Sequence, residues 1–374
     1  MSPGPKTDAE VFDIATAMYG GRLDVTSCEP SLAELVTFSI RRARSFAETS
    51  KHVSARVPRI VVDAVDNSRF DALATFGKDC RIIAIFKGAI QALDILFHRL
   101  LADRRIFDYA GEPSLEGEID PVPALSADTI VSKCGNLVIR PKCEFRALYA
   151  RHLANTALDF VVGHELGHIM NGHVDCEGLL FGGGGISEFG FRALEPAEAR
   201  IQQTLEMNAD NAAAASGIGS VFIKLGDPDG VADPWYHFYQ DPKKSFLDWL
   251  IAVGCFFRLF GDQTLADVEL ARSSHPPWRA RCAMLMSTAG FYLTKDRPGL
   301  SQSDVHRLVP IVLTAVEEAF EALTGEPRRD ERLKNTFNQD VWAYADELHD
   351  CWANVVRPKL EPYAFVELPR YFSK

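Results

Sequence analysis

The chain has 374 residues, 47% hydrophobic and 24% charged, which is enough apolar material for one large or two smaller buried cores. Its 40 Lys and Arg against 51 Asp and Glu leave a formal net charge of −11, so no nucleic-acid partner is expected, because phosphate backbones are held by concentrated cations. Met1-Ser2-Pro3-Gly4-Pro5-Lys6 lacks the apolar core of a secretory signal, and the longest apolar run, Trp249 to Phe257, is far short of the ~20 residues of a membrane span. The 8 cysteines form no C-x-x-C pairs, so a reducing, cytoplasmic location is expected and thiolate-held zinc is not.

The first 57 residues read as a helical cap, clearest in the amphipathic stretch Ala33 to Ile40. The basic clusters Arg41-Arg42-Ala43-Arg44 and Arg328-Arg329 read as solvated helix faces or ends. Convincing strands fall only within 58–86, in Arg59 to Asp63, Phe70 to Ala74 and Ile82 to Phe86. A helix from near Gly88 follows, through Leu93, Leu96, Leu100 and Leu101. Residues 104–143, with Pro113, Pro121, Pro123 and Pro141, read as an irregular insertion, a lid or plain surface, with at most a short strand at Leu137-Val138-Ile139.

Next comes His164-Glu165-Leu166-Gly167-His168. Four helical residues turn through about 400°, so the two imidazoles project about 40° apart and can share one metal ion. Zinc suits neutral imidazole and imposes little geometry of its own. Glu165 is too constrained to join the first histidine on the metal but can reach a water held there, the placement of a general base. The preceding run Leu158 to Gly163 is apolar, with Leu158, Val162, Leu166 and Ile169 on one ladder and Phe160, His164 and His168 on another, so the helix is predicted to be buried.

A catalytic zinc site takes three protein ligands. His173 lies five residues past His168, about 140° around the helix, and points away unless the helix breaks at Asn171-Gly172; it reads as a helix-end residue beside a cap. Glu206 is the better candidate. Its segment reads as a helix with Pro196 in the first turn, Glu195 and Glu198 at the positive end, an alanine-rich run, and Gly217 as the end. Asp210, one turn beyond Glu206, is placed to accept the outward N–H of a liganding histidine. Between these helices, Phe181 to Ile186 with its glycines reads as a crossover bordering a cleft rather than a phosphate loop, since no G-K-[ST] follows. Residues 226–244 are irregular and aromatic, and the chain from Val305 reads as helices kinked by Pro310 and anchored by Trp342 and Trp352.

H-E-L-G-H followed by Glu206-x-x-Ala209-Asp210 resembles the glutamate-ligand zincins (gluzincins), specifically the HtpX-like and CAAX prenyl protease group of zinc metalloendopeptidases. Ser274-His275-Pro276-Pro277-Trp278-Arg279-Ala280-Arg281 is similar to that group's H-P-x-x-x-x-R segment, and the strands and helix of 58–103 look like the hairpin and helix that precede its zinc helix. The resemblance covers less than half of the chain. It implies an α+β, predominantly helical fold with a zincin-like core, a small β-hairpin or sheet and a buried HEXXH helix. The expected organisation is a cap at 1–57, a metallopeptidase core at 58–290 with insertions at 104–143 and 226–244, and a helical region at 291–374. The expected activity is hydrolysis of a protein or peptide substrate by Zn2+ on His164, His168 and Glu206 with Glu165 as base. An oxyanion donor is sought among Tyr236, His237, Tyr239 and His275, the last favoured by the resemblance. The substrate is expected to pair with an edge strand, 82–86 or 59–63. The family's best-known members are membrane proteins, and a zincin without a span also resembles the Lit-type phage-exclusion peptidases, bacterial proteins that cut a host protein. The competing class is a non-catalytic, zinc-stabilised sensor or scaffold.

Overall fold

Short apolar runs rich in Ile and Val build β1 (Ile60–Val65), β2 (Ala72–Phe76) and β3 (Arg81–Phe86). The computed structural model describes residues 6–135, 139–176, 186–187, 195–227, 231, 234–294, 301–328 and 336–371. β3 is buried from Ile82 to Phe86 because it lies in the middle of the sheet: β1 runs parallel to it and β2 antiparallel. A two-residue β4 (Ile186–Ser187) adds antiparallel to β2, giving the order β1-β3-β2-β4. The expectation that 82–86 could be an open edge is therefore incorrect. β1 is an edge of the sheet, as expected, with two of its carbonyls taken: Leu23 N donates to Ala64 O at 2.8 Å and Arg44 Nε to Val62 O at 2.8 Å.

The rest of the described chain is mainly helical, as expected for a predominantly helical α+β protein: α1 (Asp8–Thr16), α2 (Pro30–Glu48), α3 (Ser50–Val53), α4 (Lys87–Leu101), α5 (Ile130–Cys134), α6 (Glu144–Met170), α7 (Pro196–Gly226), α8 (Pro242–Leu259), α9 (Trp278–Thr294), α10 (Gln302–Thr324), α11 (Gln339–Cys351) and α12 (Arg357–Leu360). None of the described helices is long and apolar enough to cross a membrane. The main core takes side chains from α2, α4, α6, α8, α9, α10 and one face of the sheet, and Val36, Ile40, Ala43 and Ala47 turn the buried stripe of α2 into it. A smaller cluster on the sheet's other face holds Phe12, Ile82 and Phe86. A third joins α7 and α9 to the C-terminal helices through Leu205, Met207, Ala280, Leu348 and Trp352.

α6 is buried on nearly all sides, which is why its sequence carries apolar residues around the full circumference. Its first turns also organise the insertion before it. Arg146 is wholly buried and spends its guanidinium on five backbone carbonyls, those of Leu101, Asp103, Ile106, Phe107 and Ala110, at 2.7–3.0 Å. Glu116 accepts from the amides of Lys142 and Cys143. The start of the insertion is thus pinned to α6, and the strand expected at Leu137-Val138-Ile139 lies largely outside the described residues.

Two local expectations need correction. Gly217 does not end α7, which begins with a capping box between Glu195 and Glu198 and continues to Gly226. Gly217 instead lets Trp249 approach, and a Cβ there would stand 2.6 Å from the indole Nε1. Trp352 is the anchor expected of it, fully buried with Nε1 donating to Pro369 O at 2.9 Å, whereas Trp342 is 37% exposed because it sits on the outer face of α11. Pro310 is carried inside α10.

Candidate metal centre

The site is made by the closest helix pair. Gly163 and Gly167 of α6 face the alanines of α7: a Cβ on Gly167 would meet Ala212 Cβ at 3.0 Å and Ala209 O at 3.2 Å, and one on Gly163 would meet Ala213 Cα at 3.3 Å. Only a small residue permits this approach, so the G in H-E-L-G-H is what lets Glu206 on α7 reach the imidazoles of α6. His164, His168 and Glu206 are buried, and their ligand atoms all lie within 4.8 Å of one another. His164 Nε2 is 3.0 Å from His168 Nε2 and 3.3 Å from Glu206 Oε2, and His168 Nε2 is 3.6 Å from Glu206 Oε1.

The surrounding hydrogen bonds fix which ring nitrogens carry protons. A neutral imidazole has one donor and one acceptor. His164 Nδ1 is 2.9 Å from Asp210 Oδ1, so it donates there and Nε2 is left with its lone pair. Asp210 is itself gripped by Arg281, Nε to Oδ2 and Nη2 to Oδ1, each 2.8 Å. Burial pushes the Asp210 carboxyl up, but Arg281 and the His164 bond outweigh it and keep it below the usual carboxylate range. On the other side, His173 Nε2 donates to Asn208 Oδ1 at 3.0 Å, so His173 Nδ1 is an acceptor, and at 2.9 Å it takes the Nδ1–H of His168. Burial drives His173 down to about 3 and His168 well below its ordinary value, consistent with neutral rings.

His164 Nε2 and His168 Nε2 thus face each other at 3.0 Å beside a carboxylate, and with both rings neutral in these tautomers the two atoms present their acceptor sides to it. Glu206 is wholly buried, with Oε2 3.3 Å from His164 Nε2 and 3.5 Å from His275 Nε2. Such an array of acceptors repels itself unless a cation lies between them. The three separations, two of which end on different oxygens of Glu206, lie around the ~3.3 Å expected between ligands at about 2.05 Å in a tetrahedral site. The residues present therefore fit a metal ion, with Nε2, Nε2 and a carboxylate oxygen as its donors.

No family profile, curated protein or solved structure matches this chain. The site's reading accordingly rests on its own chemistry.

The other expected site residues divide. Glu165 is buried on α6 next to His164. His275 comes to the centre, with Nε2 3.5 Å from Glu206 Oε2 and Nδ1 2.8 Å from Ser274 Oγ, yet it stands outside the converging trio. Tyr236, His237 and Tyr239 do not come to it. Tyr239 packs edge-on to His152, which lies 12 residues before His164 and so about 18 Å up the helix, and Tyr236 and His237 are exposed beside it. His173 follows the end of α6 beside its cap, as expected, and it also supports His168. α6 does break at Asn171, Gly172 takes φ 78°, and the turn sends His173 back beneath His168. Asn208 and Tyr371 were not legible in the sequence, because an Asn on an alanine-rich helix and a Tyr 163 positions away carry no spacing signal. For Asn208 the one hint was its place two residues after Glu206.

Proposed function

We propose that this protein is a zinc-dependent metalloendopeptidase of the gluzincin type, with a zincin-like core and a protein or peptide substrate. The observation that carries the reading is the convergence of His164 Nε2 and His168 Nε2 on the buried Glu206 carboxylate, with Glu165 next in sequence to the first of them. A mixed nitrogen and oxygen donor set favours zinc over magnesium or calcium. Zinc held there would polarise the scissile carbonyl and acidify a water. Glu165, next in sequence to His164, is the residue that would take a proton from the attacking water and return it to the leaving amine, with no covalent intermediate needed. Asp210 and Arg281 hold His164 in the liganding tautomer. His275, with Ser274 Oγ at Nδ1, can carry its hydrogen on Nε2 and donate to the developing oxyanion. With β3 central, an extended substrate would have the outer strands β1 and β4 to pair with.

A single-target protease resembling the Lit-type peptidases is a narrower form of this reading. The burial of all three donors favours a second one, in which zinc only braces the helices of a sensor or scaffold. The test compares wild type with Glu165→Gln for metal content and, in cells expressing each, for new protein termini. Equal zinc in both with new termini only from wild type supports the peptidase. Cleavage by both variants overturns the base assignment, and stoichiometric zinc with a fourth protein ligand and no cleavage establishes the scaffold.

A further inference from the structure

The hydrogen-bond chain beyond His168 does not stop at His173. Asn208 Oδ1 accepts from His173 Nε2 at 3.0 Å and from Asn171 Nδ2 at 2.6 Å, and Asn208 Nδ2 donates to the Tyr371 hydroxyl at 2.9 Å, as does Asn211 Nδ2 at 3.1 Å. Asn208 is 1% exposed and His173 fully buried, so water does not compete for these positions. The segment carrying Tyr371 is seated firmly on the same end of α6: Phe365 N donates to Met170 O at 2.9 Å, the Tyr371 ring lies 27° from the plane of His349, and Trp352 Nε1 holds Pro369 O. Gly172 admits this segment, since a Cβ there would stand 2.7 Å from the carbonyl carbon of Tyr363.

An amide reads its partners by orientation. With the Tyr371 hydroxyl accepting from Nδ2, the Asn208 oxygen must face His173. Were the amide turned over, its N–H groups would meet Nε2 of His173, which would then move its proton to Nδ1 and force the proton of His168 onto Nε2, the atom aimed at the metal position. We propose that Tyr371 is a positioning residue for the metal: through Asn208 and His173 it sets the tautomer of His168, so that docking of residues 361–371 controls how tightly the centre holds its ion. The proposal rests on the metal reading above.

The test measures Zn2+ affinity of the full chain by competition with a chromophoric chelator, and the visible spectrum after Co2+ substitution, for wild type, Tyr371→Phe, His173→Gln and His173→Leu. Changes behind a metal-bound histidine typically cost 10–100-fold in affinity. Tyr371→Phe keeps the ring packing and is expected to weaken Zn2+ by about tenfold. His173→Leu is expected to weaken it by about 10–100-fold with an altered Co2+ spectrum. His173→Gln can still accept from His168 and donate to Asn208, and is expected to stay within about threefold of wild type. Should wild type bind no divalent ion, the metal reading itself fails. Wild type binding tightly while Tyr371→Phe or His173→Leu binds equally well overturns the relay alone. Equal weakening by His173→Gln and His173→Leu also overturns it, by reducing the role to packing.

Discussion

Replacing Asp210 by Asn tests whether the charge beneath His164 is structural as well as orienting. Asp210 is 3% exposed and Arg281 fully buried, joined by two bonds of 2.8 Å, so the amide would leave the guanidinium with a neutral partner and turn an N–H group toward its donors. Removing one member of a buried pair costs about 3–5 kcal/mol. Glu206 Oε2, 3.7 Å from Arg281 Nη2, supplies some residual compensation and places the expected loss near the lower end, about 3 kcal/mol. That is a large share of a total stability of about 5–15 kcal/mol. The assay is urea unfolding followed by far-UV circular dichroism with chelator present, so that bound metal does not contribute. Arg281→Met and the double variant complete the cycle, and replacing both charges is expected to cost clearly less than the sum of the single losses. A loss below ~1 kcal/mol for Asp210→Asn, or additivity within ~0.5 kcal/mol, would refute the argument.

Gly167→Val pushes branched carbons into Ala212 and the Ala209 carbonyl, so α6 and α7 must separate; metal stoichiometry is expected to collapse, with about 1–3 kcal/mol lost in the same unfolding assay. Arg146→Met removes five buried hydrogen bonds to backbone carbonyls, and limited proteolysis mapped by mass spectrometry is expected to cut within 101–116 at least tenfold faster than in wild type. Burial alone would raise the Asp94 carboxyl, but His98 and Arg140 hold it below its ordinary value. Its stabilising contribution is therefore present above a pH of about 4 and lost as the pH falls further, so the gap in urea midpoint between wild type and Asp94→Asn should narrow from pH 6 to pH 3.

What the sequence revealed follows the reach of local periodicity. The spacing of His164 and His168 and the four-residue step from Glu206 to Asp210 are helix geometry, and the structure brings all four together. The strands were legible for the same reason, as short β-branched runs, but their order was not, because pairing β3 between β1 and β2 is a non-local choice. Gly217 looked like a stop because glycine ends many helices, and only the position of Trp249 explains why it sits inside one. Tyr236, His237 and Tyr239 had suitable chemistry and the wrong address. The links from Asn208 to Tyr371, and from Arg146 to the loop before it, depend on tertiary docking that no periodicity encodes.

The donors and their supports come from α6, α7, α9 and the stretch around Tyr371, so the pieces of the centre are spread over more than half of the polypeptide. An unfinished or partly collapsed chain offers only the His164 and His168 pair, a weak bidentate trap. Tight capture of the ion, on the proposed reading, would then follow the docking of α7, α9 and the Tyr371 segment around α6. On the proposed reading, loading would act as a checkpoint: a polypeptide misassembled along that span would stay empty and inactive.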